Sequence, residues 1–212
     1  MVSRALLAGL ITSFIFLAGL SFGLLWDQLR KDKLQETIDE ITVYSSALFI
    51  ESQLLPQVKC EAMEPLLADA LKDISEALDK YTFYTKTARV DIDRQKLLYR
   101  RYLLANVRYW MFAKRYREEC NASNAIILFF FDENCRECLV MADRLTYLKK
   151  KYGDKVLVFP VNMYLAKEDP VAHTLAAIYN VTSYPTIIFE DKKYGVLSKE
   201  ELEGLVCAEI GC

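Results

Sequence analysis

Between Gly23 and Gly153 the chain contains no glycine, and its only prolines there are Pro56 and Pro65. Tight β-hairpin turns place residues at positive φ, which glycine adopts most readily. So long a run without it excludes a meander or sandwich of short strands and leaves helices as the main element. Apolar residues recur at helical spacing through much of this region. The pattern predicts a first helix over 28–55, stopping before Pro56. A second is expected over 64–86, with Pro65 in its first turn and Leu66, Leu67, Ala70, Leu71, Ile74, Ala77, Leu78 and Tyr81 as its apolar face. A third begins near Asp91 or Asp93, where acids suit a helix amino terminus, and runs to Glu119.

The residues before these helices obey a different rule. From Ala5 to Trp26 there are 22 positions and no charge, and about 20 apolar residues cross a bilayer core as a helix. Arg4 flanks one end; Asp27, Arg30, Lys31 and Lys33 flank the other. The run predicts a transmembrane anchor over 1–27 that holds the membrane through residues 5–26. A cleaved signal peptide, cut near Ser21-Phe22-Gly23, is the alternative, although the run exceeds a typical apolar signal core. The chain as a whole is 53% apolar, but the residues outside this run are about half apolar, an ordinary value for a soluble domain. A net charge of −2 gives no basic field to hold nucleic acid.

Three consecutive helices with short connections pack antiparallel, so 28–120 is expected to form a helical stalk. The first connection, near Cys60, then meets the end of the third helix at Cys120. Topology therefore predicts a disulfide between residues 60 positions apart, worth about 3–4 kcal/mol by loop entropy. Two buried thiols are the alternative. The third helix also carries Arg94, Arg101, Arg108 and Arg115 at seven-residue spacing, and Tyr102, Tyr109 and Tyr116 likewise. Such rows form continuous stripes. The arginines are expected to lie over an apolar seam beside the tyrosine rings, either as a solvated face or as a contact for anionic lipid or an acidic partner.

After Cys120 the pattern changes. Ala125 to Phe131, AIILFFF, reads as a strand buried on both faces. A turn follows, then Cys135-Arg136-Glu137-Cys138 opens a helix to about Lys151. A strand over 155–161, a helix over 169–179 and strands over 186–190 and 193–197 come next. The last helix is capped by Ser198 with Glu201 three residues on. The order is βαβαββα.

A buried strand, a CxxC opening the next helix, and Tyr184-Pro185-Thr186 before an antiparallel strand resemble a thioredoxin-fold domain, over residues 121–212. The leading strand and helix of that fold are missing, and the third stalk helix is available to occupy part of their place. The expected fold class is therefore α plus α/β: a transmembrane helix, a three-helix antiparallel stalk and a thioredoxin-like domain. Cys135, at a helix amino terminus where exposed N–H groups favour a thiolate, is the expected nucleophile. Cys138 is the resolving thiol. The resemblance implies that Pro185 is cis and lies beside the CxxC, and that Tyr184, Pro185 and Thr186 bind an extended substrate. It also marks departures: Phe129 stands where thioredoxins usually bury an acid, Asn134 replaces a tryptophan, Asp143 a proline, and the usual lysine of the next strand is missing.

The chemistry so implied is thiol–disulfide exchange, with protein thiols or disulfides and a redox partner protein as partners and no cofactor. Arg136 is expected to lower the Cys135 pKa and Asp132, Glu133 and Glu137 to oppose it. No metal is expected. Zinc needs four ligands and His173 is the only histidine; copper held by Cys135, Cys138 and His173 is a similarly weak fit. Cys207 and Cys212 are expected to form a local structural disulfide; a second redox pair or free thiols are the alternatives. Asn121-Ala122-Ser123 and Asn180-Val181-Thr182 are glycosylation sequons. The basic residues after the run favour a cytoplasmic body, whereas six cysteines with a topologically paired set favour an extracytoplasmic one; the expectation is a single-pass protein facing an oxidising compartment. A non-catalytic adaptor that uses the same fold to bind a partner is the alternative function.

Overall fold

The computed structural model describes residues 9, 11–23, 47, 49–87 and 92–212. The contacts divide the chain into two compact units, Met1–Pro56 and Gln57–Cys212. In the first unit, residues 11–23 and 49–54 are helical. Among the described residues no helix is long and apolar enough to cross a membrane. The remainder of the anchor expected over 5–26, and most of the helix expected over 28–55, lie outside the described residues.

The second unit opens with two long helices, α1 (Cys60–Thr87) and α2 (Ile92–Cys120). Helix α1 starts four residues earlier than the periodicity predicts, so Pro65 falls in its second turn rather than its first. A bond from the Ala62 N–H to the Lys59 carbonyl closes the entry turn. The Cys60–Cys120 disulfide ties the start of α1 to the end of α2 and makes the pair antiparallel. The buried seam of α1 is Met63, Ala70 and Ala77, a seven-residue row. Leu71 and Leu78, expected on the apolar face, are instead exposed, Leu71 at 54%. Small alanines in the seam let the helices approach closely, and this turns the neighbouring leucine ridge outward.

The arginine stripe of α2 meets α1 rather than solvent or lipid at its middle. Arg108, with a side chain only 12% exposed, pairs with Asp73 and with Asp69 at 3.0 Å, and its guanidinium lies over the Phe112 ring. Arg94 sits over Tyr84 of α1, and Arg115 binds Glu119 of its own helix at 2.6 Å.

Strand β1 (Ala125–Phe131) is central in a four-stranded sheet of order β2-β1-β3-β4. It pairs parallel with β2 (Val156–Asn162) and antiparallel with β3 (Thr186–Phe189), which pairs antiparallel with the short β4 (Lys192–Tyr194). The last strand thus starts one residue before the expected span and stops three short of it. The period-2 geometry sends alternate β1 residues to opposite faces. Ile126, Leu128 and Phe130 pack with Tyr99, Leu103 and Ala113 of α2 and with α4 (Pro170–Ile178). Ala125, Ile127 and Phe129 pack under α3 (Arg136–Tyr152) and α5 (Lys199–Ile210). Helix α2 therefore serves two partners, α1 on one side and the sheet on the other.

Strand β2 is the open edge of the sheet, and α2 also covers that edge. The Asn106 side-chain amide donates to the Pro160 carbonyl at 3.1 Å, and the Tyr99 hydroxyl oxygen accepts the Asn162 N–H at 2.6 Å. Pro160 itself offers no N–H, which suits an edge position. Buried side chains thus take the hydrogen bonds that a further strand would supply.

Candidate active site

The carboxyl end of β1 delivers the chain into a tight turn. The Asn134 N–H donates to the Asp132 carboxylate at 2.8 Å, and the Cys135 N–H to the Asp132 carbonyl at 3.3 Å. This turn presents Cys135 as the N-cap of α3, with extended backbone at φ −103° and ψ 110°. Its Sγ accepts the Cys138 N–H at 3.1 Å. A cap atom here receives an otherwise unpaired helix donor and the positive end of the helix dipole, and both stabilise negative charge on sulfur.

Cys135 is bonded to Cys138. The two sulfurs differ in access: Cys135 is half-buried, whereas Cys138 is 2% exposed beneath Phe129 and Met141. An incoming nucleophile therefore meets Cys135 first. Beyond the pair, Leu139 and Val140 on the first turn of α3 are exposed, Leu139 at 66%.

The antiparallel ladder sets Thr186 opposite Phe130, so the residues before Thr186 arrive beside the end of β1 where the CxxC turn begins. The Tyr184–Pro185 peptide is cis. Pro185 and Thr186 are buried, Tyr184 is exposed at its rim, and the Thr186 hydroxyl donates to the Ser183 carbonyl at 2.7 Å. Partial burial raises the Tyr184 pKa above the usual phenol value, and the charge of Asp132 adds to the rise, which ties this loop to the CxxC turn. The structure thus brings together Cys135, Cys138, Tyr184, Pro185 and Thr186.

The other cysteines lie elsewhere. Cys207 and Cys212 are bonded across the carboxyl end of α5, where Gly211 adopts the left-handed conformation that closes the helix. The Cys207 sulfur lies 3.3 Å from the hydroxyl of Tyr152, the last residue of α3. Seventeen residues of helix, about 25 Å, separate that end from Cys135. The Cys207–Cys212 pair therefore lies at the end of α3 far from Cys135. His173 is on α4, whose buried residues pack on the sheet face opposite Cys138, and its ring contacts the Lys167 carbonyl. It joins neither cysteine. Among the described residues no group of three or more histidine, cysteine, aspartate or glutamate side chains is arranged to hold a metal.

An open groove of about 660 Å³ runs beside Cys138, lined by Phe129, Phe131, Leu139, Leu145 and Val158 with Tyr102 from α2. Phe129 stacks on Phe131 at 5.3 Å between ring centres, so the position of the usual buried acid is filled by packed rings that neither take nor give a proton.

Sequence reasoning missed Asn162, which closes β2 and is 5% exposed. Its Nδ2 donates to the Glu133 carboxylate at 2.8 Å, and its Oδ1 accepts the N–H groups of Tyr164 and Leu165 at 3.0 and 3.3 Å. Beside it, Tyr81, Tyr99 and Tyr102 form an aromatic cluster. Burial pushes the Tyr102 hydroxyl up to about 12. The Tyr81 pKa is raised first by burial, against a hydrogen bond with Gln95, and further by the charge of Glu133. No local motif signals this linkage, because it depends on the parallel register that sets Asn162 opposite Phe131.

Residues 114–208 match a family model described as a thioredoxin-like domain; the match begins within α2. A thioredoxin of Buchnera aphidicola subsp. Acyrthosiphon pisum is 28% identical over 89 residues, covering 39% of this chain and 77% of that protein. Among solved structures, a malarial protein is 25% identical, covers 41% of this chain and 98% of its own, and has a TM-score of 0.35. Thioredoxin-2, described as a component of malaria parasite protein secretion machinery, is 24% identical over 40% of this chain and 82% of its own, with a TM-score of 0.34. The germline-specific Deadhead (Thioredoxin-1) of Drosophila melanogaster is 21% identical over 45% and 92%, with a TM-score of 0.34.

Proposed function

Residues 114–208 being a thioredoxin-like domain, we propose that the protein is a membrane-anchored thiol–disulfide oxidoreductase acting on protein clients through Cys135 and Cys138. The observation that carries this reading is the placement of Cys135 as the helix N-cap, bonded to a buried Cys138 whose N–H it accepts. In the reducing direction the Cys135 thiolate attacks one sulfur of a client disulfide. A mixed disulfide forms and a client thiolate leaves. The Cys138 thiolate then attacks the Cys135 sulfur, which expels the second client thiolate and leaves the Cys135–Cys138 bond; two electrons pass to the client. In the oxidising direction the same steps run backwards from a client thiolate. A redox partner protein would restore the starting state. Tyr184, Pro185 and Thr186 would hold the client segment against the pair.

Membrane attachment rests on the uncharged run over 5–26. An extracytoplasmic body, facing the periplasm, a lumen or the exterior, rests on three disulfides in one chain.

Trapping in cells tests the chemistry. Cys138→Ser should accumulate mixed disulfides with clients and Cys135→Ser should accumulate none, because only the first variant keeps the nucleophile and loses the release step. If neither traps a client and function survives the double substitution, the domain acts as a binding adaptor, a reading that the apolar packing of Phe129 in place of a proton relay favours. Retention of the full chain in membranes after carbonate washing tests the anchor; release into the wash would refute it.

A further inference from the structure

Glu133 is two residues from Cys135, yet its carboxylate is not left to the turn that carries it. The Asn162 amide binds it at 2.8 Å. Asn162 is itself held from two directions: the Tyr99 hydroxyl oxygen accepts its N–H, and its Oδ1 takes two N–H groups of the following turn. An exposed glutamate is thereby fastened by a buried amide on the β2 side of the turn, beside the tyrosines of the helical hairpin. The loop with Pro185, proposed to hold the client, enters from the other side of β1, beside β3.

We propose that Asn162 is a positioning residue that holds the Glu133 charge on the hairpin side of the turn and so keeps it from raising the pKa of Cys135. This rests on the reading of Cys135 as the attacking thiol. A carboxylate free to approach a thiolate disfavours its charge, whereas one fixed at a distance and screened by water does so much less. The other charged or titratable groups around the site are Asp132, Arg136 and Glu137 on the turn and α3, Tyr184 on the loop before β3, and Tyr81, Tyr99 and Tyr102 on the two helices α1 and α2. None of these has to move for the tether to act.

The test is the pH dependence of Cys135 alkylation by iodoacetamide in the reduced full chain, read by peptide mass spectrometry, with circular dichroism to confirm folding. Asn162→Ala should raise the Cys135 midpoint by roughly half a pH unit. Adding Glu133→Gln to Asn162→Ala should return it to the wild-type value. Asn162→Asp, which keeps the volume but repels Glu133, should give the same rise. Glu133→Gln alone, at an exposed position, should leave the midpoint almost unmoved. A fall of about half a pH unit in that single variant, an unmoved midpoint in both Asn162 variants, or a rise that survives removal of the Glu133 charge would each overturn the proposal. A purely structural role for Asn162 would lower stability without rescue by Glu133→Gln. Alkylation needs no client, so these midpoints test the tether separately from client trapping, which tests the oxidoreductase reading.

Discussion

Replacing both Cys60 and Cys120 by serine removes a covalent tie between the start of α1 and the end of α2 without leaving an odd thiol. The tie closes a loop of sequence separation 60. In the chain-entropy model, −2.1 − 1.5R ln n for n near 60 is about −14 cal/mol/K, or about 4 kcal/mol at 25 °C. The native contacts between the helices survive the substitution, because Met63, Ala70 and Ala77 still fill the seam and Arg108 still binds Asp69 and Asp73. The loss should therefore appear as a lower unfolding free energy with the native fold intact. Urea unfolding followed by far-ultraviolet circular dichroism measures it, and the denaturant slope should rise as the freed chain exposes more surface. At about 2–4 °C per kcal/mol for a chain of this size, the thermal midpoint should drop by roughly 8–16 °C. A loss below about 1 kcal/mol with an unchanged slope would refute the reasoning, since it would mean that the hairpin closes in the unfolded chain without the bond.

Three further outcomes follow from the same contacts. Ser198→Ala breaks the capping box in which Ser198 and Glu201 exchange backbone hydrogen bonds, and should cost about 1 kcal/mol by chemical denaturation. The Ser198 backbone N–H, and then its side chain, hold the Glu201 pKa below the usual glutamate value. The stability Glu201 contributes is therefore complete above that usual value and is lost as pH falls through the lower folded value; Glu201→Gln should flatten the acid limb of the stability profile in that window. Phe129→Ala should destabilise by about 3–4 kcal/mol, since its ring is 3% exposed within the core under α3; a loss below about 1 kcal/mol would show that the adjoining groove lets the core collapse around the gap.

The elements most legible in the sequence are those whose signals are local. Ala125–Phe131 is uniformly apolar because both its faces are covered. Ser198 and Glu201 announce a helix start by their spacing, and the CxxC falls where a strand must give way to a helix. Pairing Cys60 with Cys120 needed one topological step, that successive helices reverse direction. Leu71 and Leu78 illustrate the limit of periodicity, which finds an apolar sector but does not say which of two adjacent ridges enters the seam. Asn162 and Tyr99 were beyond reach, because their roles depend on a parallel register and on a helix laid along the edge of the sheet. Neither residue stands in a pattern that a local reading could weigh.

The two seven-residue rows of α2 acquire a single physical explanation once both partners of that helix are known. A helix with one buried stripe needs one apolar row; a helix held by another helix and by a sheet needs two faces of different chemistry. At its middle the arginine face finds acids on α1, where Arg108 reaches Asp69 and Asp73. The tyrosine face is turned toward the sheet: Tyr109 lies 5.6 Å from Phe159, and Tyr102 joins the cluster whose member Tyr99 accepts the Asn162 N–H. The rows therefore record internal packing along this stretch, and a search for lipid or acidic partners is better aimed at Arg101, which is exposed. Contacts thus run from α1 to α2 at Arg108, from α2 to β2 at Tyr99 and Asn162, and from Asn162 to Glu133 in the turn that carries Cys135.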